Sequence, residues 1–212
     1  MALVGPSGSG KTTTVSLLCG FYQSSKGSVK VDGVSIANLD FRQWRKKIGL
    51  ILQDIFLFPG SILENIRVYN DAIPESTVRD AVSVVQLDEF IKSLTLGIHS
   101  ELSERGQNVS QGEKQLISFA RALAFNSEII VMDEATASID PQTEARIQKT
   151  MERVFSGKTV LIVAHRLTSV LNADEILYFS GGEIIARGSH NELMLKSEDY
   201  RRLVELQFMG VN

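Results

Sequence analysis

Near its N-terminus the chain reads Gly5-Pro6-Ser7-Gly8-Ser9-Gly10-Lys11-Thr12, directly after the apolar run at residues 2–4. Phosphate oxygens can approach successive backbone N–H groups only where side chains are absent, which explains glycine at 8 and 10. The helix-compatible segment from Lys11 would add the partial positive charge of a helix N-terminus. Lys11 supplies a charge for β- and γ-phosphates, and Thr12 supplies a hydroxyl ligand for Mg²⁺. The stretch therefore predicts a P-loop (Walker A) between a strand and a helix.

The composition excludes several other classes of protein. The 212 residues are 43% hydrophobic with four prolines, as in a compact folded domain. Apolar runs are far shorter than the roughly 20 residues of a membrane-spanning helix. Lys and Arg total 22 against 25 Asp and Glu, so no global field attracts nucleic acid and we expect no nucleic-acid partner. The single cysteine, Cys19, fits a reducing compartment and is expected to be buried.

Hydrophobic patterning predicts where strands and helices lie. Strands are predicted at residues 2–4, 27–33, 47–52, 128–132 and 159–163, with a hairpin at 175–179 and 183–186 and helical spacing at 75–94. Strands separated by helices indicate an α/β fold with a mostly parallel sheet core. Together with the P-loop, this pattern resembles the P-loop NTPase (RecA-like) fold. We expect residues 1–53 and 126–212 to form this α/β core and 54–125 to form an inserted α-helical subdomain.

A further helix is predicted after residue 140. Asp140 and Pro141 provide an N-cap and a first-turn proline, and Ile147, Met151 and Val154 recur at helical spacing. We expect these three side chains to face the core.

Two carboxylates follow the apolar segment 129–132. Asp133 and Glu134 would stand at a strand tip, where Mg²⁺ requires a carboxylate and hydrolysis requires a second one to orient or deprotonate water. Alone, an Asp-Glu pair after a strand is as easily a solvated turn. Together with the P-loop, it indicates an ATPase.

A third segment reads Asn108-Val109-Ser110-Gln111-Gly112-Glu113-Lys114-Gln115 before a run of helix formers. Ser110 and Glu113 form a capping box, so the segment could be simply a well-capped helix start, although a capped N-terminus also binds anions. Gln53 stands where the core meets the helical insertion. His165 follows the strand at 159–163, where a lone histidine is usually structural.

The order and spacing of these segments resemble the nucleotide-binding domain of an ABC transporter, over nearly the whole chain. Residues 56–66 (Phe-Leu-Phe-Pro-Gly-Ser-Ile-Leu-Glu-Asn-Ile) and 100–106 (Ser-Glu-Leu-Ser-Glu-Arg-Gly) resemble the segments that exporter-type members place against their membrane domains. The resemblance implies head-to-tail pairing with a second nucleotide-binding domain, identical or different. It also implies a transmembrane domain, fused N-terminally, that holds the chain at the cytoplasmic face of the membrane.

The resemblance also assigns roles to single residues. ATP phosphates would be held by the P-loop, Mg²⁺ by a hydroxyl, an amide and a carboxylate, and the partner domain would close on the γ-phosphate. The residues are, for nucleotide binding, Gly5, Pro6, Ser7, Gly8, Ser9, Gly10, Lys11, Thr12, Thr13 and Gln53; for Mg²⁺, Thr12, Gln53 and Asp133; for catalysis, Lys11, Glu134 and His165; for the contact in trans, the signature segment Ser110, Gln111, Gly112 and Glu113; and for communication across the interface, the D-loop Asp140.

The signature segment departs from the family's usual Leu-Ser-Gly-Gly-Gln. Val109, Gln111 and Glu113 replace three of its members, whereas Ser110 and Gly112 remain. Because the hydroxyl, the glycine N–H and the helix N-terminus are the elements that bind an anion, and because Glu113 keeps the capping geometry, we expect function to survive. A carboxylate near the nucleotide leaves the affinity open.

Four alternatives compete with the function of an exporter ATPase. A soluble ATPase of the same class acting on DNA ends or ribosomes would require coiled-coil heptads, a basic face or a second cassette. A non-catalytic binding or regulatory module that holds ATP without hydrolysing it is opposed by Lys11, Asp133, Glu134 and His165. A truncated nucleotide-binding module without independent activity stays an alternative. A small-molecule kinase would leave residues 110–113 and His165 without roles.

The chain begins four residues before the P-loop, whereas family members carry antiparallel β structure upstream, with an aromatic side chain that stacks on adenine. That region is expected to be largely missing here, and the chain to be a fragment. We therefore expect the isolated chain to bind nucleotide weakly, as equilibrium titrations with ATP and GTP would measure. Micromolar binding with strong selectivity for adenine would contradict this prediction.

Overall fold

The computed structural model describes residues 1–52, 54–103, 106–133, 141–164 and 167–208. They form two compact units, each treated separately below. The first unit comprises Met1–Arg45, Val131–Thr136 and Val160–Asn212, and the second Lys46–Ile130 and Ala137–Thr159. The division predicted at residues 53/54 and 125/126 stays a prediction.

The elements of the described residues interleave strands and helices along the chain. The strands are β1 (Ala2–Val4), β2 (Lys30–Val31), β3 (Val34–Ser35), β4 (Ile48–Ile51), β5 (Gly60–Ser61), β6 (Glu101–Leu102), β7 (Ile129–Asp133), β8 (Thr159–Val163), β9 (Ile176–Ser180) and β10 (Glu183–Gly188). The helices are α1 (Lys11–Leu18), α2 (Phe41–Lys46), α3 (Ile62–Arg67), α4 (Glu75–Val84), α5 (Asp88–Ser93), α6 (Gln111–Ala124), α7 (Pro141–Phe155), α8 (Leu167–Leu171), α9 (His190–Lys196) and α10 (Glu198–Phe208).

A sheet with β1 near its middle organises the first unit. The strand order runs β10-β9-β1-β8 and on to β7, and β1 pairs in parallel with both β8 and β9. Ala2, Leu3 and Val4 are completely buried, as expected of an apolar strand flanked on both sides by parallel neighbours. The predicted α/β fold with a mostly parallel sheet is confirmed.

The edge of this sheet is the hairpin that the sequence predicts. Strand β10 runs antiparallel to β9, with a bulge between Ile184 and Ala186. Gly181 and Gly182 have φ of 57° and 86°, the conformation of a two-residue type I′ turn, which favours glycine at both positions. The following helix α9 begins with the predicted capping box of Ser189 and Glu192.

The predicted strand at 27–33 is wrong in its extent. Strand β2 begins only at Lys30 and pairs with β3 across a turn at Asp32 and Gly33, whose φ values are 50° and 80°. Gly27 has φ of 74°, and its carbonyl accepts a hydrogen bond from the Ser24 hydroxyl at 3.4 Å. A turn at residues 24–27 therefore occupies the start of the predicted strand.

Helices dominate the second unit, in which β4 is hydrogen-bonded alongside the start of β7. The predicted helical region 75–94 contains two helices, because α4 ends at Val84 and α5 begins at Asp88. Gln86 adopts φ of 59°, and the N–H of Leu87 donates to the carbonyl of Val82 at 3.0 Å. This left-handed cap satisfies the end of α4 and buries Leu87 completely.

The inward stripe of α7 is confirmed. Ile147, Met151 and Val154 are 3%, 6% and 0% exposed, at the i, i+4, i+7 spacing of one helix face. Cys19 is also buried, as expected, and burial raises the pKa of its thiol to about 11. Among the described residues, no helix combines the length and apolarity that crossing a membrane requires.

Truncation of the α7 stripe is expected to destabilise the protein. Ile147→Ala would leave a cavity and lower the free energy of unfolding by about 2–5 kcal/mol in urea denaturation. Lys149→Ala, on the exposed face of the same helix, is the matched control and is expected to change it by less than about 0.5 kcal/mol. Equal effects of the two substitutions would contradict the orientation of α7.

Candidate functional site

The P-loop connects β1 to α1 through three glycines in backbone conformations that other residues rarely adopt. Gly5, Gly8 and Gly10 have φ of 144°, 75° and 105°. A Cβ on Gly5 would also collide with the carbonyl oxygen of Phe179. Gly8 is exposed and a Cβ there would meet nothing, so its backbone faces open space. The predicted strand–loop–helix context of the P-loop is therefore present.

The ammonium group of Lys11 lies inside this loop. Its Nζ donates to the carbonyls of Gly5 at 2.8 Å and Pro6 at 2.9 Å, and lies 3.4 Å from Oγ of Ser9. Lys11 is only 7% exposed. Burial lowers its pKa, and the negative charge of Asp133 opposes this effect. The ammonium group is thus held at the centre of the loop by hydrogen bonds to uncharged carbonyls. Anionic oxygens accept stronger hydrogen bonds and can replace these carbonyls.

Hydroxyl groups surround the outer side of the loop. Ser7, Thr12 and Thr13 are exposed, and they lie in the loop or the first turn of α1. Thr14 differs, because its Oγ1 donates to the carbonyl of Gly10 at 3.0 Å. Thr12 and Thr13 therefore present their side chains where the helix N-terminus meets solvent, as a nucleotide site requires.

Asp133 is the last residue of β7, after the fully buried Ile130 and Val131. Its side chain is half-buried, and its charge is close enough to raise the pKa of Lys11. Strand β8 lies between β7 and β1 in the sheet. The structure therefore brings the predicted Mg²⁺ ligand Asp133 to the P-loop lysine.

In the second unit, Ser110 caps helix α6 with both bonds of the predicted capping box. The N–H of Glu113 donates to Ser110 Oγ at 3.3 Å, and the N–H of Ser110 donates to Glu113 Oε2 at 2.9 Å. The Ser110 hydroxyl also donates to that oxygen at 2.6 Å. Ser110 and Gln111 are exposed, and Gly112 is buried. The capping geometry expected to survive the substitution at 113 is present.

Four of the predicted site residues lie outside the described residues: Gln53, Glu134, Asp140 and His165. Their assigned roles stay predictions.

The two exporter-type segments predicted from the sequence are neighbours in the second unit. Strands β5 and β6 pair antiparallel, Gly60 with Leu102 and Ser61 with Glu101. Beside this ribbon, the rings of Phe56 and Phe58 meet edge to face at 5.0 Å. Phe56 and Phe58 are 49% and 37% exposed. These aromatic side chains are thus exposed to solvent beside the ribbon. The described residues of 56–66 and 100–106 are called the platform below.

Sequence reasoning missed Arg121, which ties this platform to α6. Its Nε and Nη2 donate to the backbone carbonyl and Oδ1 of Asn65 at 2.7 and 3.0 Å, and its Nη1 donates to the carbonyl of Phe56 at 2.8 Å. The guanidinium also lies 5.8 Å from the centre of the Phe58 ring. Burial lowers its pKa to about 10. The sequence signal that could have identified Arg121 is its position within the mostly apolar segment 116–124.

Comparison with known proteins identifies this arrangement. Residues 1–137 match the family described as ABC transporter. The chain belongs to the ABC transporter family. It is 44% identical over 207 residues to a probable multidrug resistance ABC transporter ATP-binding/permease protein of Bacillus subtilis, covering 98% of the chain and 31% of that protein. It is 38% identical over 203 residues to an ATP-dependent lipid A-core flippase of Neisseria gonorrhoeae, covering 96% of the chain and 33% of that protein.

A solved structure shares the fold as well as the sequence. A bacterial Atm1-family ABC exporter with ATP bound matches with a TM-score of 0.88 and 36% identity, over 97% of this chain and 36% of that one. The ABC transporter ATP-binding domain is therefore the part that this chain represents, and its relatives are exporter-type proteins. The chain spans about a third of the length of the curated relatives it matches.

Removal of the Arg121 guanidinium is expected to loosen the platform. Arg121→Ala would leave the carbonyls of Phe56 and Asn65 without their donor and lower the free energy of unfolding by about 3 kcal/mol. Arg121→Lys keeps the charge but not the fork, so its loss should be intermediate. Arg79→Ala removes an exposed i,i+4 pair with Glu75 and should cost less than about 1 kcal/mol. Urea denaturation measures the free energy of unfolding of all three variants. An unchanged free energy of unfolding in Arg121→Ala would contradict the structural role of Arg121.

Proposed function

We propose that this chain is the ATP-hydrolysing motor domain of an exporter-type ABC transporter. The observation that carries the proposal is the buried ammonium of Lys11, held inside a glycine-rich loop at a helix N-terminus and within electrostatic reach of Asp133. The buried ammonium, the exposed loop backbone and the carboxylate together suit the binding of Mg²⁺ and a nucleoside triphosphate. The 98% coverage by an ATP-binding/permease relative supports the same proposal.

Lys11 would act by exchanging acceptors. In the structure its Nζ is bound by two neutral carbonyls, whereas phosphate oxygens carry charge and accept stronger hydrogen bonds. Nucleotide binding would draw the ammonium from its own loop onto the β- and γ-phosphates. Because the side chain is already at the loop, little conformational entropy would be lost in this step.

Mg²⁺ fits the oxygen ligands that the site provides. The exposed hydroxyl of Thr12 and the carboxylate of Asp133 are hard oxygen donors, and Gln53 would add an amide oxygen. When bound, the ion would neutralise charge that develops on the phosphates. Thr12 and Asp133 would orient it from the helix N-terminus and the strand tip, respectively.

Hydrolysis would require residues of this chain and of a second nucleotide-binding domain. Glu134 would orient or deprotonate the attacking water, and His165 would contact the γ-phosphate. The capped α6 N-terminus of the second domain would close on the same phosphate through the hydroxyl of Ser110 and nearby N–H groups. Asp140 would communicate across this interface.

The transmembrane partner would dock on the platform of residues 56–66 and 100–106. Its exposed Phe56 and Phe58 offer an apolar contact, and the Arg121 fork connects the platform rigidly to α6. Closure and opening of the nucleotide site could then move the membrane partner, at the cytoplasmic face of the membrane. The exported substrate would be selected in that partner.

The proposal is tested by Glu134→Gln in the complete protein that contains this chain, purified in detergent or lipid. Loss of the general base should lower the ATPase rate by roughly 100-fold or more while ATP binding persists. Glu152→Gln, an isosteric change on the exposed face of α7, is the matched control and should retain the rate. An unchanged rate in Glu134→Gln would refute the catalytic assignment, and a wild-type protein without ATPase activity would refute the proposed function.

A further inference from the structure

The backbone conformation of Gly112, in the signature segment, does not require glycine. Gly5, Gly8 and Gly10 of the P-loop have φ between 75° and 144°, whereas Gly112 lies within the first turn of α6. A helical glycine is less stable than alanine by roughly 0.5–1 kcal/mol. The absence of a side chain at 112 must therefore have a steric cause, either a ligand outside the chain or a neighbour within it.

The second unit contains such a neighbour. A Cβ on Gly112 would overlap Cγ2 of Thr143 and lie 3.6 Å from its Cβ and 4.0 Å from its Oγ1. Gly112 is buried, and Thr143 lies in the first turn of α7. The space that a side chain at 112 would occupy is thus filled by the methyl group of Thr143. Threonine on a helix is restricted to two main χ1 rotamers, so Thr143 can clear this space only by changing χ1 or by a movement of α7.

We propose that Thr143 is the positioning residue of the signature segment: its methyl group, packed on the bare Cα of Gly112, sets where α6 presents its N-terminal N–H groups and the Ser110 hydroxyl. The residues at 112 and 143 act as a size-matched pair, a hydrogen opposite a methyl group. Placement of donors around a reacting phosphate is sensitive to shifts of about 1 Å. A methyl group added at 112 would force a shift of that order between the N-termini of α6 and α7.

This inference rests on the proposed function, and it predicts suppression. In the complete protein, Gly112→Ala should lower kcat for ATP hydrolysis by roughly 10- to 100-fold. Thr143→Ser removes the obstructing methyl group and retains the hydroxyl. The double substitution Gly112→Ala/Thr143→Ser should therefore recover most of the lost rate. Equilibrium ATP binding, which depends on the P-loop, should remain close to wild type in each variant.

The matched control removes the same methyl group elsewhere on α7. Thr150 is fully buried, and its Oγ1 donates to the carbonyl of Arg146 at 2.9 Å, a bond that serine can also make. Gly112→Ala/Thr150→Ser should be as slow as Gly112→Ala alone. A double-mutant cycle of melting temperatures adds a readout without catalysis, in which residues 112 and 143 should be coupled and residues 112 and 150 additive.

Three outcomes would overturn the inference. Gly112→Ala could hydrolyse ATP at the wild-type rate, Thr143→Ser could fail to restore it, or Thr150→Ser could restore it equally. Failure of rescue would indicate that the side chain at 112 is excluded by the nucleotide instead of by Thr143. A wild-type protein without ATPase activity would refute the proposed function, and the melting-temperature cycle would still decide whether the two residues are coupled.

Discussion

The buried ammonium of Lys11 is the constraint on which the P-loop depends. A charge that is 7% exposed requires acceptors, and the loop supplies them by turning the carbonyls of Gly5 and Pro6 inward. One loop N–H group, that of Ser9, donates to the carbonyl of Pro6 at 3.3 Å, whereas the exposed backbone at Gly8 faces the space where an anion would bind. The positive φ values of the glycines make this turn possible. Strand β1, held between two parallel neighbours, fixes the point from which the loop starts.

In the other unit, the half-buried guanidinium of Arg121 connects the platform to α6. Its fork donates to three acceptors on residues 56 and 65, so the platform and α6 cannot separate without breaking these hydrogen bonds. The two cations differ in the strength of their attachment. A single ammonium on neutral carbonyls can exchange partners, whereas a planar guanidinium with several fixed bonds is a structural tie. In the proposed function, an exchangeable ammonium would suit the nucleotide-binding loop, and a fixed guanidinium would suit the platform that docks on the membrane partner.

Local patterns were predictable from the sequence, and contacts between distant residues were not. The P-loop, the capping boxes at Ser110 and Ser189 and the glycine hairpin each depend on residues a few positions apart, so their sequence signals are complete. The strand predicted at 27–33 was too long because the alternation of Val29 and Val31 is short, and turns at residues 24–27 and at Asp32 and Gly33 occupy its two ends. The fork of Arg121 and the contact between Gly112 and Thr143 join residues 31 or more positions apart, which periodicity does not encode.

Glu113, which stands where the family's usual signature has glutamine, keeps the cap of helix α6. Its carboxylate accepts bonds from the N–H and hydroxyl of Ser110, so the helix start is as well capped as a glutamine could make it. A negative charge at this position also stabilises the helix by roughly 0.3–1 kcal/mol through the helix dipole. The same charge opposes any phosphate that approaches the α6 N-terminus. In the proposed function, this repulsion would act only when the α6 N-terminus approaches a phosphate bound to a second domain, and it would weaken that approach.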